Sequence, residues 1–282
     1  MKKKKVVFIG NRPKILEELL KNNDLEVIKA FVIEQPLIEN VENLDIERLN
    51  SVGDKDRLIN FLKDSKYDIC VSAGCSYILP RSKLPSSSVF LNCHPSVLPY
   101  GKGIHPLNEC FLSGNNIAGA TIHLLVDKLD AGDILNQSSF ELTDEIDVSV
   151  LYGFIFDLEA ELLSKTIIEI IKNNMVVEAI PQRGEVTYYS REKEKRKFSA
   201  KDITVDEFIR NTKAFSSSNL GVYLLTDTQK ILAFSSEKIK NNFILKRYKN
   251  IDKGKIIFQN NDVILVKLED GIVKINKFQI DS

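Results

Sequence analysis

From Lys5 to about Leu142, short β-rich apolar runs alternate with amphipathic stretches. The extended runs are Val6–Ile9, Glu26–Ile33, Asp68–Ala73, Val89–Asn92 and Ala120–Val126. Between them, Pro13–Lys21 carries Ile15, Leu16, Leu19 and Leu20 at helical spacing, and Lys55–Lys63 repeats the pattern with Leu58, Ile59 and Leu62. Successive strand–helix units of this kind predict an α/β fold built on a doubly wound, mostly parallel sheet. A long helix is expected from about Val148 to Lys172, with Leu151, Phe154, Ile155, Leu158, Leu162, Ile167 and Ile171 as its apolar stripe and Asp147 as its cap. The charge-dense segment Ser190–Lys201 reads as a linker, which divides the chain into domains 1–200 and 201–282. After it, a short helix (Val205–Lys213) precedes runs at Val222–Leu225, Ile231–Phe234, Phe243–Leu245, Ile256–Phe258, Val263–Val266 and Ile272–Ile275. Turn signals such as Asn260-Asn261-Asp262 and Glu269-Asp270-Gly271 separate them. This pattern predicts a small β-barrel or sandwich.

Composition narrows the picture. With 43% hydrophobic and 28% charged residues among 282, the chain is globular, and disorder is excluded as its main state. Lys plus Arg and Asp plus Glu both number 39, so no long-range positive field gathers polyanions, and a large nucleic-acid footprint is not expected. Cys70, Cys75, Cys93 and Cys110 form no CxxC pair and lie in apolar stretches, as reduced, buried thiols of a cytoplasmic protein would. The Lys2–Lys5 run superficially resembles a signal n-region, but only four apolar residues follow it before Gly10. No stretch is apolar for long enough to predict a membrane span.

The chemistry concentrates in Asn92-Cys93-His94-Pro95-Ser96-Val97-Leu98-Pro99-Tyr100-Gly101-Lys102-Gly103 and in Asp130-Ala131-Gly132-Asp133-Ile134. Both segments fall at carboxyl ends of predicted strands, where open α/β sheets place their reactive crevice. Asn92 and His94 are two residues apart, so on extended backbone their side chains leave on the same side. An imidazole takes and returns a proton near neutral pH, an amide N–H steadies a developing oxyanion, and a carboxylate orients the imidazole. The trio suits acyl transfer without a side-chain nucleophile. Taken one at a time, each also fits a structural role, Asp130 above all as a turn residue.

The composite N-x-H-P-S-L-L-P, a basic-Gly turn, then D-x-G-x-I 38 residues after the Asn, is met at Asn92, His94, Pro95, Ser96, Leu98, Pro99, Asp130, Gly132 and Ile134, with Val97 in place of one Leu. In this the chain resembles the N10-formyltetrahydrofolate-dependent formyltransferases, a family with a Rossmann-like catalytic domain. Methionyl-tRNA, glycinamide ribonucleotide and nucleotide-linked sugar formyltransferases belong to it. The resemblance runs to about Phe140, and more loosely into the terminal β unit at Asn211, Ala214 and Gly221. It implies that Asn92, His94 and Asp130 are catalytic and that N10-formyltetrahydrofolate is the cofactor. By position it implies a pterin pocket lined by Ser76, Tyr77, Ile78 and Leu79 on one side and by Leu125, Val126, Asp127 and Lys128 on the other, although Tyr77, Ile78 and Leu79 also suit plain core packing. Gly101-Lys102 stands where the family usually has Tyr-Arg, so Lys102 offers an anion a point charge in place of a fork.

The acceptor is read from what is missing. The turn Gly10-Asn11-Arg12-Pro13 lacks the Gly-Ser-rich phosphate loop of the glycinamide ribonucleotide branch. The stretch Glu34–Glu47, where the tRNA branch carries a basic insertion, contains Glu34, Glu39, Glu42, Asp45 and Glu47 and no Lys or Arg. The resemblance then implies sugar N-formylation: a dTDP- or UDP-linked 4-amino-4,6-dideoxyhexose destined for surface polysaccharide such as lipopolysaccharide O-antigen, with no nucleic-acid or membrane partner. It also suggests a homodimer through the terminal unit. Asn11 and Arg12 are placed for a pyrophosphate or for a solvated turn, and His105 for the sugar or for a helix start. The alternative acceptor is methionyl-tRNA. A zinc hydrolase using His94, His105 and His123 is disfavoured by their spacing. A formyltetrahydrofolate hydrolase is disfavoured because only Lys2–Lys5 precede the first strand. An RNA-binding module would rest on Lys238, Lys240, Lys246, Arg247, Lys249, Lys253 and Lys255, where interspersed acids favour a solvated face.

Overall fold

The computed structural model describes residues 2–33, 44–51, 53–189, 196–217 and 220–281. Its central strand, β1 (Lys4–Gly10), is buried from Val6 to Gly10. A strand covered on both faces reads as a continuous apolar run, hence Val6-Val7-Phe8-Ile9 without alternation. β1 pairs in parallel with β2 (Leu25–Ile33) on one side and β4 (Ile69–Ala73) on the other. β3 (Ile46–Leu49) extends the sheet beyond β2, and β5 (Val89–His94) extends it beyond β4, both parallel. The helices α1 (Pro13–Lys21) and α2 (Asp54–Asp64) supply crossovers. The expected doubly wound sheet is therefore present, and its strand order reverses between β1 and β4.

Two further strands widen it. β7 (Ile117–Leu124) runs antiparallel to β5, and β8 (Ile134–Glu141) closes the edge of the order β3-β2-β1-β4-β5-β7-β8. β8 reads Asn136-Gln137-Ser138-Ser139 at its middle and is nowhere fully buried, so no apolar pattern announces it. β3 is equally silent, because it is four residues long and holds Glu47 and Arg48.

By contact density the chain forms two compact units. The first comprises Met1–Gly103, Ala118–Phe140 and Gly153–Tyr188; the second comprises Ile104–Ile117, Glu141–Tyr152 and Tyr189–Ser282. Besides the terminal stretch, the second unit thus takes in two segments from earlier in the chain. The two-residue strands β6 (Lys102–Gly103) and β9 (Tyr188–Tyr189) lie near these boundaries. Within the expected linker, 190–195 lie outside the described residues.

The second unit holds α3 (Pro106–Leu112), β10 (Lys197–Ser199), α5 (Val205–Ala214), β11 (Val222–Leu225), β12 (Lys230–Lys238), α6 (Asn242–Arg247), β13 (Ile256–Gln259), β14 (Ile264–Lys267) and β15 (Ile272–Asp281). Its strands form one six-stranded sheet, β10-β11-β12-β15-β14-β13, around buried Phe208, Phe215, Leu224, Ile231, Ile264 and Ile275. The run Phe243–Leu245, expected as a strand, is helical: Asn241 Oδ1 accepts the Ile244 N–H at 3.1 Å, and Lys246 and Arg247 occupy the last turn. In the basic cluster of this unit, Lys238, Lys253 and Lys255 pair with Asp206, Glu269 and Asp227.

α4 (Val148–Lys172) has the predicted bounds, and Asp147 caps it by accepting the Val150 N–H at 3.0 Å. Its buried stripe differs from the expected one, with Leu158 and Ile171 only half-buried and Leu163 and Ile170 buried in addition. Phe154 is 63% exposed, while Leu151, Ile155, Leu162 and Ile167 face inward together with Glu159. Of the four thiols, Cys75 is only partly buried. Among the described residues no helix is long and apolar enough to cross a membrane.

At the sheet's midline, Gly10 takes φ +146°, and a Cβ there would lie 1.9 Å from the Ala73 carbonyl oxygen. Gly10→Ala is expected to cost at least ~1–3 kcal/mol of stability from backbone strain, read as a lowered thermal midpoint; a midpoint equal to wild type would contradict this packing.

Candidate active site

Asn92 and His94 leave the carboxyl end of β5 on one face. The antiparallel register sets Asn92 opposite His123 and His94 opposite Thr121 on β7. Asn92 Nδ2 lies 3.0 Å from His123 Nε2, and His123 Nδ1 lies 2.9 Å from the Leu124 carbonyl oxygen. A carbonyl only accepts, so His123 carries its proton on Nδ1 and takes the Asn92 N–H on Nε2. By the same logic His94 donates from Nε2 to the Gly101 carbonyl at 2.8 Å. Its other ring nitrogen, Nδ1, is left 3.7 Å from Asp130 Oδ1. That same oxygen is 3.8 Å from His123 Nε2, and Oδ2 accepts the Gly103 N–H at 2.8 Å. One buried carboxylate thus faces two buried imidazoles whose rings sit 6.4 Å apart.

Local sequence dictates this arrangement. Asp130 is left-handed at φ +46°, a conformation that Asp tolerates better than most residues. At Gly132 a Cβ would lie 1.6 Å from the Leu124 carbonyl oxygen, so the D-x-G spacing is a steric requirement. The Leu124 N–H closes the turn on the Asp133 carbonyl at 2.9 Å. Thr121 Oγ1 donates to the Ser96 carbonyl at 2.6 Å and accepts the Leu98 N–H at 3.2 Å, fixing the segment after His94.

Burial, above all, holds His123 well below the ordinary imidazole range. The pKa of Lys102, a side chain in a residue only 4% exposed, is lowered by burial and by Lys128, with Asp130 opposing. Lys102 therefore joins the cluster around Asp130. His123 is the residue that sequence reading left out of the site. Its signal was a lone imidazole in the apolar strand Ile117–Leu124, visible as functional only once the register with Asn92 is known.

Of the segments expected to flank a pterin, the second meets the turn that follows the first, where Asp127 Oδ1 accepts the Ser82 N–H at 3.0 Å. Their side chains divide by environment. Leu79 is buried, Leu125 and Tyr77 pack against the core, and the Tyr77 hydroxyl donates to the Ser51 carbonyl at 2.8 Å. Ile78 and Val126 stay exposed, as do Ser76, Asp127 and Lys128. Exposed apolar groups on these two segments fit a flat ring.

Arg12 is not a solvated turn residue. Its Nε lies 3.4 Å from Oε2 of the fully buried Glu159, its guanidinium sits 4.0 Å from the centroid of Phe156, and it donates to Asn11 Oδ1. Burial pushes Glu159 up to about 7 against the pull of Arg12. An acid at a stripe position, four residues after Ile155, was the available sign of this pair. His105 is left-handed (φ +60°) at the start of α3, in the second unit. In the acidic stretch, Asp45 and Glu47 pair with Lys29 at 2.9 and 3.1 Å, and Arg57 approaches Glu47 at 3.6 Å. Glu34, Glu39 and Glu42 lie outside the described residues. Among the described residues no three His, Cys, Asp or Glu side chains are grouped to hold a metal.

Fold and cluster together define an open α/β protein with a buried carboxylate beside two imidazoles at the carboxyl edge of its sheet. The formyl transferase family model matches residues 3–167, more than half the chain, and the chain belongs to that family. The methionyl-tRNA formyltransferase of Staphylococcus epidermidis is 29% identical over 194 residues, 63% of this chain and 62% of that protein. The chain thus spans less than two thirds of the length of that relative. Among solved structures, the N-formyltransferase from Helicobacter canadensis, in complex with folinic acid and dTDP-3-aminofucose, aligns with a TM-score of 0.71 at 17% identity, covering 98% of this chain and 100% of that one. A 4-N formyltransferase from Francisella tularensis aligns at 0.64 and 23% identity, covering 79% and 93%.

The site predicts a titration. At about pH 5.5, below the ordinary imidazole pKa of about 6.5, His123 should remain neutral with its proton on Nδ1, as read from imidazole ¹⁵N shifts. A doubly protonated His123 ring at that pH would contradict the geometry.

Proposed function

We propose that this chain transfers the formyl group of N10-formyltetrahydrofolate to the primary amine of a small nucleotide-linked amino sugar. The observation that carries the reading is the Asp130 carboxylate set between His94 and His123, with Asn92 bonded to the latter. When bound, the folate supplies an activated carbonyl. Ile78 and Val126 would hold its ring.

The residues of the chain divide the remaining work. With Nε2 donating to Gly101, the neutral His94 ring offers Nδ1 to the proton that the amine loses as its bond to the formyl carbon forms, the carboxylate stabilises the imidazolium so formed, and Nδ1 returns the proton to N10 as the bond between that nitrogen and the formyl carbon breaks. Asn92 spends one amide hydrogen on His123 and keeps the second for negative charge developing on the carbonyl oxygen. His123, neutral and fixed through Leu124, orients the amide of Asn92. Lys102 adds positive potential beside the carboxylate.

Zero net charge favours a small acceptor over a polyanion. The full-length likeness to a protein crystallised with dTDP-3-aminofucose supports the same choice. Methionyl-tRNA is the second reading. It draws on the curated relatives and on the pairing of Asp45 and Glu47 with Lys29 and Arg57, which weakens the case that the acidic stretch repels phosphate.

Incubation with formyl-folate and a panel of amino-sugar nucleotides and initiator methionyl-tRNA should give a mass gain of one formyl group on a sugar nucleotide; formylation of the tRNA alone would reverse the assignment. With the accepted amine, Asn92→Ala should lose on the order of 10²- to 10³-fold in kcat, and near-normal turnover would remove Asn92 from the chemistry.

A further inference from the structure

We propose that Gln182 and Thr187, on the strap that comes after α4, are positioning residues for Asp130 and His94. The inference rests on the reading of Asp130 and His94 as a proton-transfer pair, to which it adds the element that holds both members in place.

None of the strap's apolar residues is fully buried: Val176, Ile180, Val186 and Tyr188 are exposed, from 49% to 70%, and Val177 and Ala179 are half-buried, no more so than the polar Gln182 and Thr187. A segment with few buried apolar contacts is not positioned by core packing, so its polar contacts locate it. Ile180 and Ile134 exchange two backbone hydrogen bonds, each 2.8 Å, which sets the register of the strap from Ile180 onward. Gln182 Nε2 then donates to two carbonyls, that of Asp130 at 2.9 Å and that of Gly132 at 2.7 Å. These carbonyls flank the turn that keeps Asp130 left-handed. Exchanging the amide's O and N would set Oε1 against both carbonyls, so the orientation is fixed by its partners. Oε1 itself is buried without a partner, which marks the two donations as the reason for the residue.

Thr187 serves the other half of the pair. Its Oγ1 accepts the Gly101 N–H at 2.8 Å, and its carbonyl accepts the Lys102 N–H at 2.9 Å. The Gly101 carbonyl in turn receives the His94 Nε2 proton, which leaves Nδ1 turned to Asp130. Both contacts of the pair therefore pass through one strap, by way of Thr187–Gly101–His94 and of Gln182–Asp130.

The test compares Gln182→Met, Gln182→Glu, Thr187→Val and Thr187→Ser in the full chain, with the amine accepted in the panel. For Gln182→Met, kcat should fall about 10- to 100-fold, the order expected from misplacing a reacting group by a fraction of an ångström to an ångström, while KM for formyl-folate stays near wild type. Gln182→Glu should gain on Gln182→Met as the pH is lowered through the carboxyl range, because a protonated carboxyl recovers one donation. Thr187→Ser should restore the kcat that Thr187→Val loses, and in Thr187→Val the His94 imidazole ¹⁵N shifts should move. A strap that is structural alone would instead lower the thermal midpoints and leave kcat, the pH profile and the His94 shifts of the folded variants at wild-type values; that result overturns the proposal. Should Gln182→Met fail to fold, the Thr187 pair and the His94 shifts decide in the same way. If Asn92→Ala is fully active, the reading of the site has failed; if Asn92→Ala is impaired while the strap variants match wild type, the strap inference alone has failed.

Discussion

The Asp130 carboxylate is the constraint on which the carboxyl edge of the sheet depends. It is nearly buried, and a buried carboxylate persists only with compensation. Here one oxygen takes the Gly103 N–H and the Lys102 charge opposes that of the carboxylate, while the other oxygen faces the rings of His94 and His123. Each contact fixes something beyond itself. Gly103 brings in the loop after the His94 strand, His94 is set by Gly101, and His123 is set by Leu124 and Asn92. The left-handed turn and the close approach of Gly132 to Leu124 give the carboxylate a single direction. Preorganisation of this kind removes the need for the groups to rearrange as charge develops.

A second buried charge lies at the end of β1, where the order of the sheet reverses. Among the described residues, Glu159 has no hydrogen-bond partner on either oxygen, and Arg12 is its counter-charge. Such pairs are weak contributors to stability, since desolvation offsets much of their attraction, but removing one partner leaves the other uncompensated. Arg12 is therefore a residue of the fold as well as a candidate contact for substrate. The pKa of Cys93, next to this pair, is pushed up by burial and by Glu159, so the side chain stays a thiol.

Strongly periodic elements were legible in the chain. The bounds of α1, α4 and β11 match the expected ones, because their apolar positions face a core on one side. β3 and β8 were hidden because edge strands need not be apolar, and α6 was misread because three apolar residues on a capped turn look like a strand. The trio was legible through the composite motif that carries the family resemblance, since by spacing alone Asn92, His94 and Asp130 each also fit a structural role. His123, Glu159 and Gln182 were not, since each acts through a partner distant in sequence: His123 through strand register, Glu159 through helix packing, and Gln182 through a strap with no periodicity at all.

The central claim is that the charge of Asp130, held beside His94 Nδ1, serves the proton transfer. It is tested most directly by single-turnover formyl transfer with Asp130→Asn, which keeps the shape and removes the charge. The account predicts a folded protein with transfer slowed on the order of 10³- to 10⁴-fold. Transfer at the wild-type rate would contradict it.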